Sequence, residues 1–414
     1  MPYVLGIDIG NTSTVAAVAR HRDGSWSRPE PVVLHTASAT LPSTLLLSVD
    51  GTFTAGEVGA ANRTARDVLS RVGDELPLLL AGEPYRPEAL LALLAGHVVD
   101  QVHQGEGQPA QAIVLSHPAS WGRYRRDLLH HALWESGLGS VTLLPRTVTV
   151  AESHAARGFP GGVAAVYALG GGTFEAAVVR RNSRGRYETD GVPQGLTRLG
   201  GVDFDEALAT HVRSVLAREL AAAGPAAGEA LRTLPAECER AKRDLTSGSQ
   251  TDVVLPLPSG PVRTPVTRLQ FEELVRPAVQ TTVELLLCAV RCAGLAPARL
   301  DGVLLDGGSS RVPLVAELLV AAGFPVQTTP DPQTAAATGA AAAATQILAP
   351  RPPPPGPPPS AGGLVRTAPS PPGGGVDDLS SRDEPPPRPP IRYAPLELPK
   401  RSRRKLAGSR GHEG

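Results

Sequence analysis

Two stretches of this chain can be laid over each other. "DIGNTSTVAAV" begins at Asp8 and "ALGGGTFEAAV" begins at Ala168. Each reads as an apolar strand, a small-residue turn carrying Gly and Thr, and an alanine-rich strand. The overlay sets Asp8 on Ala168, Gly10 on Gly170, Thr12 on Gly172 and Val15 on Glu175. Glycine has no Cβ, so backbone N–H groups in such a turn can close on a phosphate. One glycine hairpin says little, because tight turns are common. Two of them, about 160 residues apart, imply two lobes that face each other with nucleotide phosphates between.

The rest of the first 348 residues supports an α/β reading. Strands are expected at "YVLGIDIG", "STVAAVA", "AIVLSHP", "VAAVYAL", "FEAAVVRR" and "LDGVLLDGG", and helices at "YRRDLLHHALWESGL", "FDEALATHVRSVLARELAAAG" and "TRLQFEELVRPAVQTTVELLLCAVRCAG". The expected organisation is lobe I over 1–158, lobe II over 159–348 and a tail over 349–414. Two further segments carry chemistry. In "LLDGGSSRVPLVAELL", Gly307 and Gly308 would let a flat ring approach the backbone, and Arg311 could stack on a purine. In "ECERAKRDLTSG", Glu239, Lys242, Arg243 and Thr246 share roughly one helical face. A mixed-charge helix face is ordinarily just solvated. Here, however, Lys242 is the only lysine before the tail; the others are Lys400 and Lys405.

Arginine otherwise carries the positive charge, and Ala, Gly and Pro are abundant, which suggests a GC-rich bacterial genome. Forty basic and forty acidic residues cancel, so nucleic acid and anionic membranes are not expected partners of the whole chain. Cys238, Cys288 and Cys292 are too few and scattered for a disulfide framework or a zinc site. Cys288 and Cys292, four apart on one helix, are expected as small core residues. No secretory signal or membrane-spanning run is apparent, so a cytoplasmic protein is expected. His130 and His131 are expected at the surface without a metal, and Trp121 and Trp134 in the packing. Beyond Pro350 the composition turns to Pro, Gly, Ser and charge, and it ends in "PKRSRRKLAGSRGHEG". That reads as a disordered tail, whose polyproline runs suit SH3- or WW-like grooves and whose basic end suits an anionic surface.

Taken in order, these elements resemble the nucleotide-binding domain of the heat-shock protein 70 (DnaK-type) chaperones, within the actin-like ATPase superfamily. The resemblance runs over nearly all of residues 3 to 346 and includes "LGGVDFDEAL" (199–208) and "DPQTAAATGAAAAA" (331–344). It implies a two-lobed fold of duplicated ribonuclease-H-like domains, with ATP or ADP and Mg2+ as cofactors. Gly10, Asn11, Thr12, Gly170, Gly171, Gly172 and Thr173 would cradle phosphates, with Gly200 and Gly201 approaching from lobe II. Glu239, Lys242, Arg243 and Thr246 would hold adenine and ribose from one side, and Gly307, Gly308, Ser309 and Arg311 from the other. Asp8 would hold the metal through water, and Asp8 and Glu175 are the candidate catalytic carboxylates.

The departures from the family pattern all fall at the hydrolytic end. An aspartate opens the family's second phosphate motif, where this chain has Ala168. The catalytic lysine of lobe I has no counterpart before Lys242; Arg63 is the nearest substitute. The family's Asn-Glu-Pro-Thr segment corresponds to "VTVAES", which sets Thr149 roughly where the glutamate belongs. No segment resembling the family's substrate-binding β-sandwich follows. The expectation is an ATP-binding, chaperone-related switch with slow or absent hydrolysis, acting through an unidentified protein partner. The alternative is an active ATPase using substitute groups. A sugar kinase or filament-forming actin homologue fits less well, since no aspartate base facing a sugar pocket is evident.

Overall fold

The computed structural model describes residues 1–35, 38–327 and 329–348. The proline-rich tail and its expected contacts lie outside the described residues. Both glycine hairpins form, each as the centre of its own sheet.

In the first sheet, β1 (Tyr3–Ile9) pairs antiparallel with β2 (Ser13–Arg22) in a register that sets Asp8 opposite Val15. Helix α1 (Pro87–Glu106) leads to β3 (Ile113–His117), which runs parallel to β1. Helix α2 (Arg123–Glu135) leads in turn to β4 (Thr142–Pro145), parallel to β3. The order is therefore β4-β3-β1-β2, with short strands along the outer edge of β2. Helix α3 (Arg146–Ala156) starts directly after β4, with Pro145 as its N-cap.

The second sheet repeats the scheme. β5 (Val163–Leu169) and β6 (Phe174–Arg181) pair antiparallel with Ala168 opposite Glu175, and β7 (Tyr187–Leu196) extends the edge. Helices α4 (Gly201–Val215) and α5 (Gly228–Ser247), the hairpin β8 (Gln250–Leu257) and β9 (Gly260–Thr267), and the long α6 (Arg268–Cys292) follow. Then β10 (Gly302–Asp306) runs parallel to β5, α7 (Pro313–Ala321) covers it, and β11 (Val326–Gln327) ends the order β11-β10-β5-β6-β7. Helix α8 (Ala335–Leu348) closes the described chain.

Each sheet has its own large hydrophobic core. One is built around Tyr3, Leu5, Ile7 and Leu90, the other around Tyr167, Phe174, Phe204 and Phe271. Chain order and packing part company at the two central helices. Helix α3, on the lobe I side of the 158/159 division, buries Val148, Val150 and Ala151 against Ala164 and Val166 of the second sheet. Helix α8, on the lobe II side, buries Ala340 and Ala344 against Val4 and Val114 of the first. The alanine run makes this possible, because it lets backbone approach backbone. A Cβ on Gly6 of β1 would overlap the α8 backbone at Ala337 and Ala341, and one on Gly339 would overlap the Thr149 carbonyl of α3. Ser153 and Thr338 share a hydrogen bond of 2.8 Å across this crossing.

Three surface expectations need correction. Cys288 is only half-buried and Cys292 is exposed, because α6 turns Val279, Leu286 and Val290 inward instead. Trp121 packs, but Trp134 is 65% exposed and stacks on His131. The helix expected over 204–224 breaks at Leu216, and a separate short helix begins at Ala217.

Candidate functional site

The turns of the two hairpins are closed by the same bond. Gly10 N–H donates to the Ser13 carbonyl at 2.9 Å, and Gly170 N–H to the Thr173 carbonyl at 3.0 Å. The hairpins meet so closely that a Cβ on Gly171 would overlap the Thr12 side chain. Between them and α5 lies a cleft of about 530 Å3. The backbone N–H groups of Asn11, Thr12, Gly171 and Gly172 find no acceptor among the described residues, which leaves four donors free for an anion.

Fifteen of the residues expected at the site line this cleft: Asp8, Gly10, Asn11, Thr12, Gly170, Gly171, Gly172, Thr173, Glu239, Lys242, Arg243, Thr246, Gly307, Gly308 and Ser309. On α5 the i, i+3, i+4, i+7 spacing does bring its four residues to one wall. Arg243 pairs with Glu239, and Thr246 Oγ1 donates to the Lys242 carbonyl at 3.0 Å. Lys242 is held in place: its Nζ donates to the Gly201 carbonyl and to Asp205 Oδ2, both at 2.8 Å. Gly307, at φ +84°, takes a left-handed conformation against the Leu169 carbonyl, where a Cβ would collide.

Four expected residues do not line the cleft. Gly200 and Gly201 pack behind it; the N–H of Gly201 and that of Val202 donate to the Gly170 and Gly171 carbonyls at 3.0 and 2.7 Å. Arg311 is exposed at the end of the turn after β10. Glu175 is buried: its Oε1 accepts from the Ser120 backbone N–H at 2.9 Å, and its Oε2 has no partner among the described residues. Arg63, the substitute for a catalytic lysine, donates to the Leu47 and Ser48 carbonyls at 3.3 and 3.1 Å and does not line the cleft. Thr149 is fully buried and donates to the Arg146 carbonyl at 2.8 Å. It is Arg146, three residues earlier, that faces the cleft.

Sequence reasoning missed Arg146, Asp205 and Asp306. Arg146 Nε donates to Asp8 Oδ1 at 2.9 Å, its Nη2 donates to the Ile9 carbonyl at 3.2 Å, and Ser116 Oγ donates to the same Asp8 oxygen. Asp306 ends β10 directly beside Ala168 in the parallel register, so a carboxylate stands one strand away from the position where the first hairpin has its own. Burial and the nearby Asp8 push the Asp306 carboxyl up to about 7, while Arg146 and the N–H groups of Ala336 and Gly307 pull it down. Asp205 is pushed up to about 6 by burial, despite its pairing with Lys242, and its Oδ1 is left without a partner among the described residues. Burial also takes His117, behind the Arg146 pair, down to about 4, so it is neutral at physiological pH. No local pattern marks Arg146: it reaches Asp8 from 138 positions away through the β4–α3 junction.

A sequence profile for the family described as "Hsp70 protein" matches residues 69–352, more than half of the chain. The chain belongs to the heat-shock protein 70 family. Its mixed helix and sheet architecture is the actin-like ATPase fold of that family, and with membership comes an ATP-binding, chaperone-related site. The first hairpin lies before the matched residues, yet it closes the same cleft as the second. Among the described residues no helix is long and apolar enough to cross a membrane. The magnesium ion usual for the family fits the donors poorly in this heat-shock protein 70 relative. The Oδ1 of Asp8 is already taken by a guanidinium and a hydroxyl, Ala168 brings no carboxylate, and no group of three or more His, Cys, Asp or Glu suited to a metal occurs among the described residues.

Proposed function

We propose that this protein is a nucleotide-dependent switch that binds ATP and ADP in the cleft between the hairpins and hydrolyses ATP slowly or not at all. The observation carrying this reading is the contrast between the two ends of the cleft. Four free N–H donors and the α5 wall supply a phosphate cradle and an adenosine wall. At the hydrolytic end, Ala168 stands where an acid would be and Arg63 is tied to carbonyl groups elsewhere. Phosphoryl transfer depends on positioned water and on neutralising developing charge, and each missing group of that kind costs on the order of 10²-fold in rate. The tethering of Arg63 also counts against an active ATPase that recruits it.

In this reading Glu239, Lys242, Arg243 and Thr246 face the nucleoside from one side, Gly307, Gly308 and Ser309 face it from the other, and closure of the lobes signals to a protein partner in the cytoplasm. Titration calorimetry with ATP and ADP, followed by phosphate release over hours, tests it. Gly172→Val is the control: a Cβ there meets only ordinary contacts with Asn11 at 3.9 Å, so the backbone accepts a side chain whose methyls would intrude on the cradle, and a circular dichroism melt checks that the variant is folded. Binding that this variant loses, with no steady phosphate release, is expected. Steady turnover by the wild type would instead establish an active ATPase.

A further inference from the structure

We propose that the guanidinium of Arg146 stands in for the divalent cation, so that this chain binds nucleotide phosphates without metal. The inference rests on the nucleotide reading and concerns how the same cleft neutralises its ligand.

The geometry begins at the start of α3. Because β4 ends at Pro145 and the helix starts at the next residue, the Arg146 side chain is delivered beneath the first hairpin. Its Nε is fixed by Asp8 and its Nη2 by the Ile9 carbonyl. That same Nη2 lies 3.8 Å from the point where a Cβ on Gly10 would stand, inside the turn that presents the free N–H groups. Nη1 meets no acceptor among the described residues, and the residue lines the cleft. A guanidinium offers five donors in a planar fork, which matches two phosphate oxygens at once.

The acids around Arg146 have partners of their own, although Asp306 also lines the cleft. Asp306 lies against the N–H groups of Gly307 and Ala336, and Glu175 accepts from Ser120. Asp8, the acid nearest the turn, has its charge balanced by Arg146 itself, with both side chains nearly nine-tenths buried. A divalent ion bridged by water to Asp8 would therefore sit against a fixed positive charge, in a setting where water screens little. A phosphate in the same place would meet Nη1 and the free N–H groups of Asn11, Thr12, Gly171 and Gly172. The site is built to receive an anion over a cation that is already part of the chain.

Calorimetric titration of the full chain with ATP and ADP, once in magnesium and once in EDTA, decides the matter. The expected result is a wild-type Kd for ATP that changes less than about threefold between the two buffers, and a loss of about tenfold or more in EDTA for Arg146→Met. Circular dichroism melts check that the variant is folded; if it is not, Asp8→Asn/Arg146→Met removes both charges together and serves instead. A wild-type affinity that falls more than about tenfold in EDTA overturns the proposal and leaves the nucleotide reading standing. A folded variant that keeps wild-type affinity in EDTA also overturns it. Binding in neither buffer sinks the nucleotide reading as well.

Discussion

The hairpins β1–β2 and β5–β6 share a register, a turn bond and a parallel neighbour on the same side, but their charges sit on different strands. In the first, the acid is Asp8 on the leading strand, opposite Val15 and held by Ser116 from the neighbouring β3. In the second, the leading strand has Ala168, the acid opposite it is Glu175, and the neighbouring β10 supplies Asp306. The backbone scheme has been kept and the carboxylates redistributed. Backbone hydrogen bonds and glycine turns set the frame; which strand carries the charge sets what the frame can do. One hairpin is organised around a buried cation, and the other around acids held only in part by backbone N–H groups, with Glu175 Oε2 unpartnered among the described residues.

The largest effect is expected where the frames themselves differ. Gly6 of β1 lies under the α8 backbone, whereas its counterpart in the overlay, Val166 of β5, is a buried core residue. Gly6→Val should cost on the order of 4 kcal/mol, since rigid backbone and not a flexible side chain occupies the space. Val166→Gly should cost about 3 kcal/mol. Urea denaturation of both variants measures the gap, and equal losses would mean the hairpins are packed alike.

Breaking the cation–acid pair of the first hairpin comes next. Arg146→Met leaves Asp8 buried with the Ser116 hydroxyl as its one side-chain donor and should cost roughly 3 kcal/mol, as the loss of one partner of a buried pair does. Glu175→Gln, in the second hairpin, should cost about 1 kcal/mol because its main partner is a backbone N–H. Asp8→Asn/Arg146→Met should recover part of the single-variant loss, which the same denaturation curves would show.

Asp306 gives the comparison a pH signature. Its carboxyl is raised to about 7 in the folded chain, so between about 7 and the ordinary carboxylate range the folded state binds more protons than the unfolded, and stability rises as the pH falls. His117 and His154 are lowered to about 4 by burial. Between about 6.5 and 4 the unfolded state binds the protons at these sites, so their contribution to stability falls with pH. The two effects oppose each other. Asp306→Ser, which gives β10 the residue type found at Ser116, should therefore steepen the loss of stability as the pH falls from 7 to 4. An unchanged slope in urea midpoints across that range would show that Asp306 is ionised throughout.

The most direct exchange comes last. Ala168→Asp gives the second hairpin the acid of the first, but sets it opposite Glu175 and beside Asp306. Burial and the like charges should make the variant clearly less stable than the parent at pH 8, and less so at pH 5. A variant as stable as the parent at pH 8 would mean that Arg146 screens the new acid.

The two hairpins, the α5 wall and the turn after β10 could be read from sequence because each is a local pattern. Glycine permits the close approach, β alternation fixes the strands, and a 3.6-residue period gathers Glu239, Lys242, Arg243 and Thr246 on one face. Helix faces were read less well where one side chain could go either way. Trp134 and Cys292 lie on the outer sides of their helices, because neighbouring Leu and Val residues already fill the core. Thr149, set by resemblance near the family's glutamate, is fully buried, while Arg146 three residues earlier lines the cleft, and no periodicity marks which of the two would face it.

By itself, then, the sequence determined the duplicated strand–turn–strand scheme, the glycines that let the turns approach a ligand closely, and the absence of an acid at position 168. Those are properties of single residues and their near neighbours. The tertiary structure decided what stands in place of that acid. It brought Asp306 beside Ala168 through a parallel strand pairing, carried Arg146 onto Asp8 across 138 positions and crossed α3 and α8 between the sheets. Each of these depends on which elements pack together, because charge pairing and desolvation act through space over a few ångströms and are indifferent to separation along the chain.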